Sequence, residues 1–152
     1  MSRLYSISDI KFIKPATLYK WITTCHSPNG TFQVIDVRDS DYVGGHIRGS
    51  WNYPASDLNG SKILELQQRI YDAKIKDVVF HCMLSQARGP KSALKFLRSL
   101  DDIVDPEMQR YFQQDDVRVY ILKGGFTEWA GEYGPNSEVT EDFAEDIWGF
   151  GS

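Results

Sequence analysis

Apolar and polar positions alternate along this chain with two different periods, and the switches between them mark out its elements. Ile10, Phe12 and Ile13 alternate loosely around lysines and predict a short first strand. Residues 15–23 open with a proline and place Leu18, Trp21 and Ile22 on one helical face. Ser27-Pro28-Asn29-Gly30 reads as a turn, and residues 32–37 as a buried strand. Gly44, Gly45 and Gly49 imply tight backbone geometry ahead of a short strand over 51–53. Residues 62–73 carry Ile63, Leu66 and Ile70 at helical spacing, and 78–80 is a short uncharged strand. A second amphipathic helix over 91–100 buries Ala93, Leu94 and Leu97. Residues 101–116 are polar, contain Asp105-Pro106, and read as a loop with a helical turn. A third buried strand over 117–122 turns at Lys123-Gly124-Gly125 into a helix carrying Phe126, Trp129 and Ala130. Strands alternating with helices predict an α/β sandwich with a mainly parallel sheet, whose ligands lie outside the carboxyl ends of the strands.

Length and charge narrow the picture. A chain of 152 residues suits one domain, expected over residues 1–134, followed by an acidic tail over 135–152. Phe143, Trp148 and Phe150 in that tail argue that it packs back onto the domain. The net charge of −4 provides no basic field for nucleic acid or an anionic membrane, so neither is an expected partner. No apolar signal core opens the chain, so the expected compartment is the cytoplasm, with the nucleus as the other candidate. Two cysteines in a reducing compartment read as free thiols, with Cys25 expected in packing rather than chemistry. His26, His46 and His81 lie in separate segments and support no metal site, and no cofactor is implied. Nothing in the sequence sets an oligomeric state.

The candidate chemistry lies between Val78 and Pro90. The central strand ends on His81 and Cys82, five residues separate Cys82 from Arg88, and Gly89-Pro90 leads into a helix with Pro90 expected at its first position. A helix N-terminus presents unpaired N–H groups and partial positive charge, which suit an anion and a thiolate nucleophile. An arginine one loop-length away offers a planar fork for two oxygens of a tetrahedral oxyanion.

Three separated segments carry a resemblance. Ile35-Asp36-Val37-Arg38 followed by Tyr42-x-x-Gly45-His46-Ile47-x-Gly49-Ser50-x-Asn52 resembles the first block of the rhodanese superfamily. Leu122-Lys123-Gly124-Gly125-Phe126-x-x-Trp129 resembles its closing block, and Cys82 stands where that superfamily keeps its catalytic cysteine. The resemblance implies a rhodanese-like three-layer sandwich with a five-stranded, mainly parallel sheet flanked by helices. Sulfurtransferases of the superfamily typically have a loop one residue shorter. The His-Cys-x5-Arg loop here is similar to those of the cell-division-cycle dual-specificity phosphatases and of fungal-type arsenate reductases.

That likeness implies Cys82 as nucleophile and Arg88 as transition-state partner, with Met83, Leu84, Ser85, Gln86, Ala87 and Arg88 binding substrate. The expected reaction is hydrolysis of an aryl phosphate or phosphotyrosine through a phosphocysteine. Arsenate reduction with glutathione or glutaredoxin is the alternative, ahead of sulfur transfer and of a non-catalytic phospho-binding module. Phosphate, arsenate or sulfate would each suit the loop. His81 is expected to orient the loop, and Asp36 with Arg38 to form a structural pair at the sheet's edge. Two departures stand out: the loop holds no carboxylate to serve as general acid, and Val37 replaces the second cysteine usual in the cell-cycle phosphatases.

Overall fold

The computed structural model describes residues 9–113 and 117–148, without the side chains of Glu145 and Trp148. The first eight residues, read above for a targeting signal, lie outside the described residues, as do Phe150 and the side chain of Trp148. Five parallel strands form the sheet: β1 (Lys11–Ile13), β2 (Phe32–Asp36), β4 (Trp51–Asn52), β5 (Asp77–His81) and β6 (Arg118–Leu122). Their order is β1-β6-β5-β2-β4, so β5 lies at the centre. All five residues of β5 are buried, as a strand covered on both faces requires.

The pleat sorts the apolar residues into two cores. Ile35, Val78, Phe80, Val119 and Ile121 face α2 (Gly60–Asp72), α3 (Arg88–Ser99) and α4 (Pro106–Gln113). Val34, Val79, Tyr120 and Leu122 face α1 (Pro15–Thr24) and α5 (Gly125–Tyr133). This period-2 alternation, with helices on each side, produces the expected three-layer sandwich.

Four local expectations are corrected. The segment read as a loop with a helical turn contains the longer, two-turn helix α4, because Met108, Tyr111 and Phe112 recur at helical spacing and are buried; residues 114–116 lie outside the described residues. Helix α3 begins at Arg88, placing Pro90 third, where a missing N–H is still harmless. Cys25 does not pack in the core. It is exposed, ending α1 in a left-handed conformation with φ of 55°. Finally, β2 is interior to the sheet because β4 pairs outside it.

Beyond α5 the chain returns as β7 (Thr140–Glu141), antiparallel to β3 (His46–Ile47). The buried Trp129 indole N–H donates to Thr140 Oγ1 at 2.9 Å, and Phe143 packs against the α1/α5 core.

Candidate active site

Strands β2 and β5 end in register, Asp36 opposite His81, and the segment after His81 forms a loop over their carboxyl ends. Cys82 opens that loop and is 3% exposed. Two backbone N–H groups converge on its sulfur, from Ser85 at 3.1 Å and from Gly89 at 3.3 Å. Gly89 lies in the first turn of α3, where N–H groups have no acceptor within the helix. Ser85 reaches back because its φ is +57°, a left-handed conformation costing an L-residue about 1–2 kcal/mol. Its hydroxyl accepts the Cys82 N–H at 3.4 Å. Donors converging on one point form an anion nest. The N–H groups of Met83, Leu84, Gln86 and Ala87 have no acceptor among the described residues.

The loop's carbonyls are held from behind. The first turn of α5 donates from Phe126 N–H to the Cys82 carbonyl and from Thr127 N–H to the Met83 carbonyl, both at 2.9 Å. Gly125 permits that approach: a Cβ there would lie 2.5 Å from the Met83 oxygen and 2.6 Å from the Cys82 oxygen. The carbonyls of Cys82 and Met83 are thereby directed toward α5.

His81 is fully buried, its ring stacked beside Phe126. Nδ1 lies 3.0 Å from the Cys82 carbonyl oxygen, a bond the Nδ1-protonated tautomer donates. Nε2 is 3.7 Å from Asp36 Oδ2 and makes no hydrogen bond among the described residues. Burial, partly offset by the Asp36 charge, lowers the ring's pKa and keeps it neutral.

Asp36 and Arg38 form an ion pair, and it is fully buried rather than at the sheet's edge. Arg38 donates from Nε and Nη2 to the Asp36 carboxylate, and from Nη2 to the Gly45 carbonyl at 2.8 Å. Its guanidinium stacks on Phe126 at 4.2 Å and on Tyr42 at 5.0 Å. Asn52 Nδ2 donates to the carbonyls of Asp36 and Arg38. One buried arginine thus ties the Gly44-Gly45 segment and the start of α5 to the end of β2.

Arg88, the first residue of α3, is 34% exposed and is engaged by two carboxylates. It donates from Nη1 to Asp41 Oδ1 at 2.8 Å and from Nη2 to Asp41 Oδ2 at 2.5 Å. Nη1 also donates to Asp39 Oδ2 at 3.3 Å. The Arg88 hydrogen bonds hold the Asp41 carboxyl down to about 2, and the carboxylates raise the guanidinium further above its already high value. Ser56 donates to Asp39 Oδ1 from its N–H at 2.9 Å and its hydroxyl at 2.7 Å, lowering that carboxyl too.

Cys82, Ser85, His81, Asp36, Arg38 and Arg88 therefore share the carboxyl end of the sheet, with Met83, Leu84, Gln86 and Ala87 completing the loop. Leu84 is half exposed at the loop's outer side. Sequence reasoning missed Asp39, Asp41 and Gly125 as parts of this assembly. The acidic run after β2 was a usable signal, because β2 and β5 are neighbours and their following loops must meet.

The chain is similar to known proteins in sequence and in fold. The Rhodanese-like domain family matches residues 15–132. The CDC25-like phosphatase YCH1 of Saccharomyces cerevisiae is 39% identical over 153 residues, covering 95% of this chain and 97% of that protein. The dual specificity phosphatase ibp1 of Schizosaccharomyces pombe is 32% identical over 144 residues, covering 89% of this chain and 99% of that protein. Among solved structures, Ygr203w, described as a yeast protein tyrosine phosphatase of the Rhodanese family, superposes with a TM-score of 0.80. It is 39% identical and covers 94% of this chain and 99% of its own.

Proposed function

The chain belongs to the rhodanese-like domain family, and from that membership and the geometry above we propose that it is a cysteine-dependent phosphatase of phosphate monoesters. Aryl phosphates and phosphotyrosine are its expected substrates. The observation that carries this reading is the Cys82 sulfur, met by the Ser85 and Gly89 N–H groups in a loop with five residues between Cys82 and Arg88.

Cys82 attacks phosphorus as thiolate, forming the S–P bond as the ester P–O bond breaks; water then cleaves S–P and returns the thiol. The loop N–H groups receive the non-bridging oxygens, and Arg88 binds two of them as negative charge builds. Among the described residues no carboxylic acid is poised to protonate the leaving oxygen. Asp41 is held ionised by Arg88, and His81 is buried with Nδ1 directed to a carbonyl. Solvent must supply that proton, so good leaving groups are favoured and alkyl phosphates react slowly. A free thiol nucleophile suits a reducing compartment, the cytoplasm or nucleus.

A side-by-side assay tests the function. Purified protein is given 4-nitrophenyl phosphate, arsenate with glutathione and glutaredoxin, and thiosulfate with cyanide. Phosphate release in the first arm, lost in Cys82→Ser, supports the proposal. Turnover confined to the second or third arm, or unchanged phosphatase activity in Cys82→Ser, overturns it.

A further inference from the structure

A guanidinium has five N–H donors arranged along usable edges, and a carboxylate that grips one edge fixes the direction of the other. In Arg88 the end edge is taken. Nη1 and Nη2 each donate one N–H to Asp41, and the second Nη1–H goes to Asp39. Among the described residues two donors are left without an acceptor, Nε–H and the second Nη2–H; they are adjacent and parallel, a fork matching two oxygens of a tetrahedral oxyanion. The carboxylates are themselves built in. The Asp39 N–H donates to Asp41 Oδ1 at 3.0 Å, and Ser56 holds Asp39 through N–H and hydroxyl. This is a chain of fixed groups, Ser56 to Asp39 to Asp41 to Arg88.

We infer that Asp41, backed by Asp39, is the positioning residue that sets which edge of Arg88 faces the substrate oxyanion. The inference rests on the oxyanion-binding reading of the Cys82 loop.

Asp41 is also a negative charge beside an anion site, and two opposing effects follow from replacing it. Through water-screened distance that repulsion weakens a bound oxyanion roughly twofold to threefold. Re-ordering an arginine side chain released from its partner costs roughly tenfold or more in affinity. Positioning therefore outweighs repulsion, and Asp41→Asn should weaken oxyanion binding despite removing a negative charge.

The test is a double-mutant cycle on the full chain, with inorganic tungstate as the oxyanion probe. Wild type, Asp41→Asn, Arg88→Ala and the double variant are compared by calorimetric tungstate affinity, 4-nitrophenyl phosphate kinetics and iodoacetamide labelling of the Cys82 peptide. Expected is a roughly threefold to fivefold weaker tungstate affinity in Asp41→Asn, against a roughly twofold to threefold tighter affinity from the same substitution in the Arg88→Ala background, where only the repulsion is relieved. Cys82 labelling should stay within twofold between wild type and Asp41→Asn, since that variant keeps the Arg88 charge beside the thiol. Tighter tungstate binding by Asp41→Asn would make Asp41 a competitor for Arg88 and overturn the inference. So would an unchanged affinity, an equal loss in both backgrounds, more than twofold altered Cys82 labelling in Asp41→Asn, or a wild type that does not bind tungstate. A wild type that binds tungstate but releases no phosphate from the ester defeats the phosphatase reading alone and leaves the cycle to judge Asp41.

Discussion

Replacing Gly125 by alanine should unseat the Cys82 loop while leaving the rest of the fold intact. The added methyl would lie 2.5 and 2.6 Å from the Met83 and Cys82 carbonyl oxygens, backbone atoms that cannot yield by rotating a side chain. Gly125 also sits at φ of +59°, where an alanine costs about 1–2 kcal/mol. Displacement of the loop weakens the bonds from Phe126 and Thr127 N–H, each contributing about 1 kcal/mol. The total, about 3–4 kcal/mol, is below the stability expected of such a domain and should lower Tm by roughly 10 °C. Gly131 is an internal control in the same helix: its Cβ would meet nothing within 4 Å, and Gly131→Ala should stabilise by about 0.5–1 kcal/mol. Thermal denaturation of both variants, with alkylation of Cys82 followed by peptide mass spectrometry, gives the answer. Equal Tm shifts in the two variants, or an unaltered alkylation rate in Gly125→Ala, would refute the reasoning.

Three further outcomes follow from the buried polar groups. Asp36→Asn leaves Arg38 as a buried charge without its counterion and should cost about 3–5 kcal/mol in urea denaturation. Burial lowers the folded-state pKa of His81 below the 6.5 of an unfolded chain, so the unfolded state takes up its proton first. Stability should therefore fall as pH drops below about 6.5, and His81→Asn should flatten that slope in chemical denaturation at pH 5 to 7. Thr140→Val removes the acceptor of the buried Trp129 N–H and should cost about 1–3 kcal/mol by the same urea measurement, with β7 most exposed to hydrogen exchange.

The layers were legible because burial on both faces leaves a simple trace. Residues 78–80 carry no charge, and successive positions there must enter opposite cores. Only a helical turn of α4 was legible, since its three buried side chains are diluted among polar residues and the helix opens on Pro106. The Cys82-to-Arg88 spacing pointed to the loop, but a spacing cannot say where a long side chain goes. That depended on the carboxylates after β2, which meet Arg88 only because β2 and β5 are adjacent in the sheet. Gly125 was read as a turn residue, whereas its tight constraint comes from a loop more than forty positions earlier in the chain. The buried Asp36–Arg38 pair was placed wrongly for a similar reason: strand order, which decides what is interior, is not written in local sequence.

The central claim is that Cys82 carries the phosphoryl group during turnover. Rapid acid quenching of the protein during turnover of a radiolabelled aryl phosphate, followed by peptide mapping, tests it directly. Acid-trapped label is expected on the Cys82 peptide of wild type and none in Cys82→Ser, together with loss of turnover. Phosphate release without a labelled Cys82 peptide, persisting in Cys82→Ser, would contradict it.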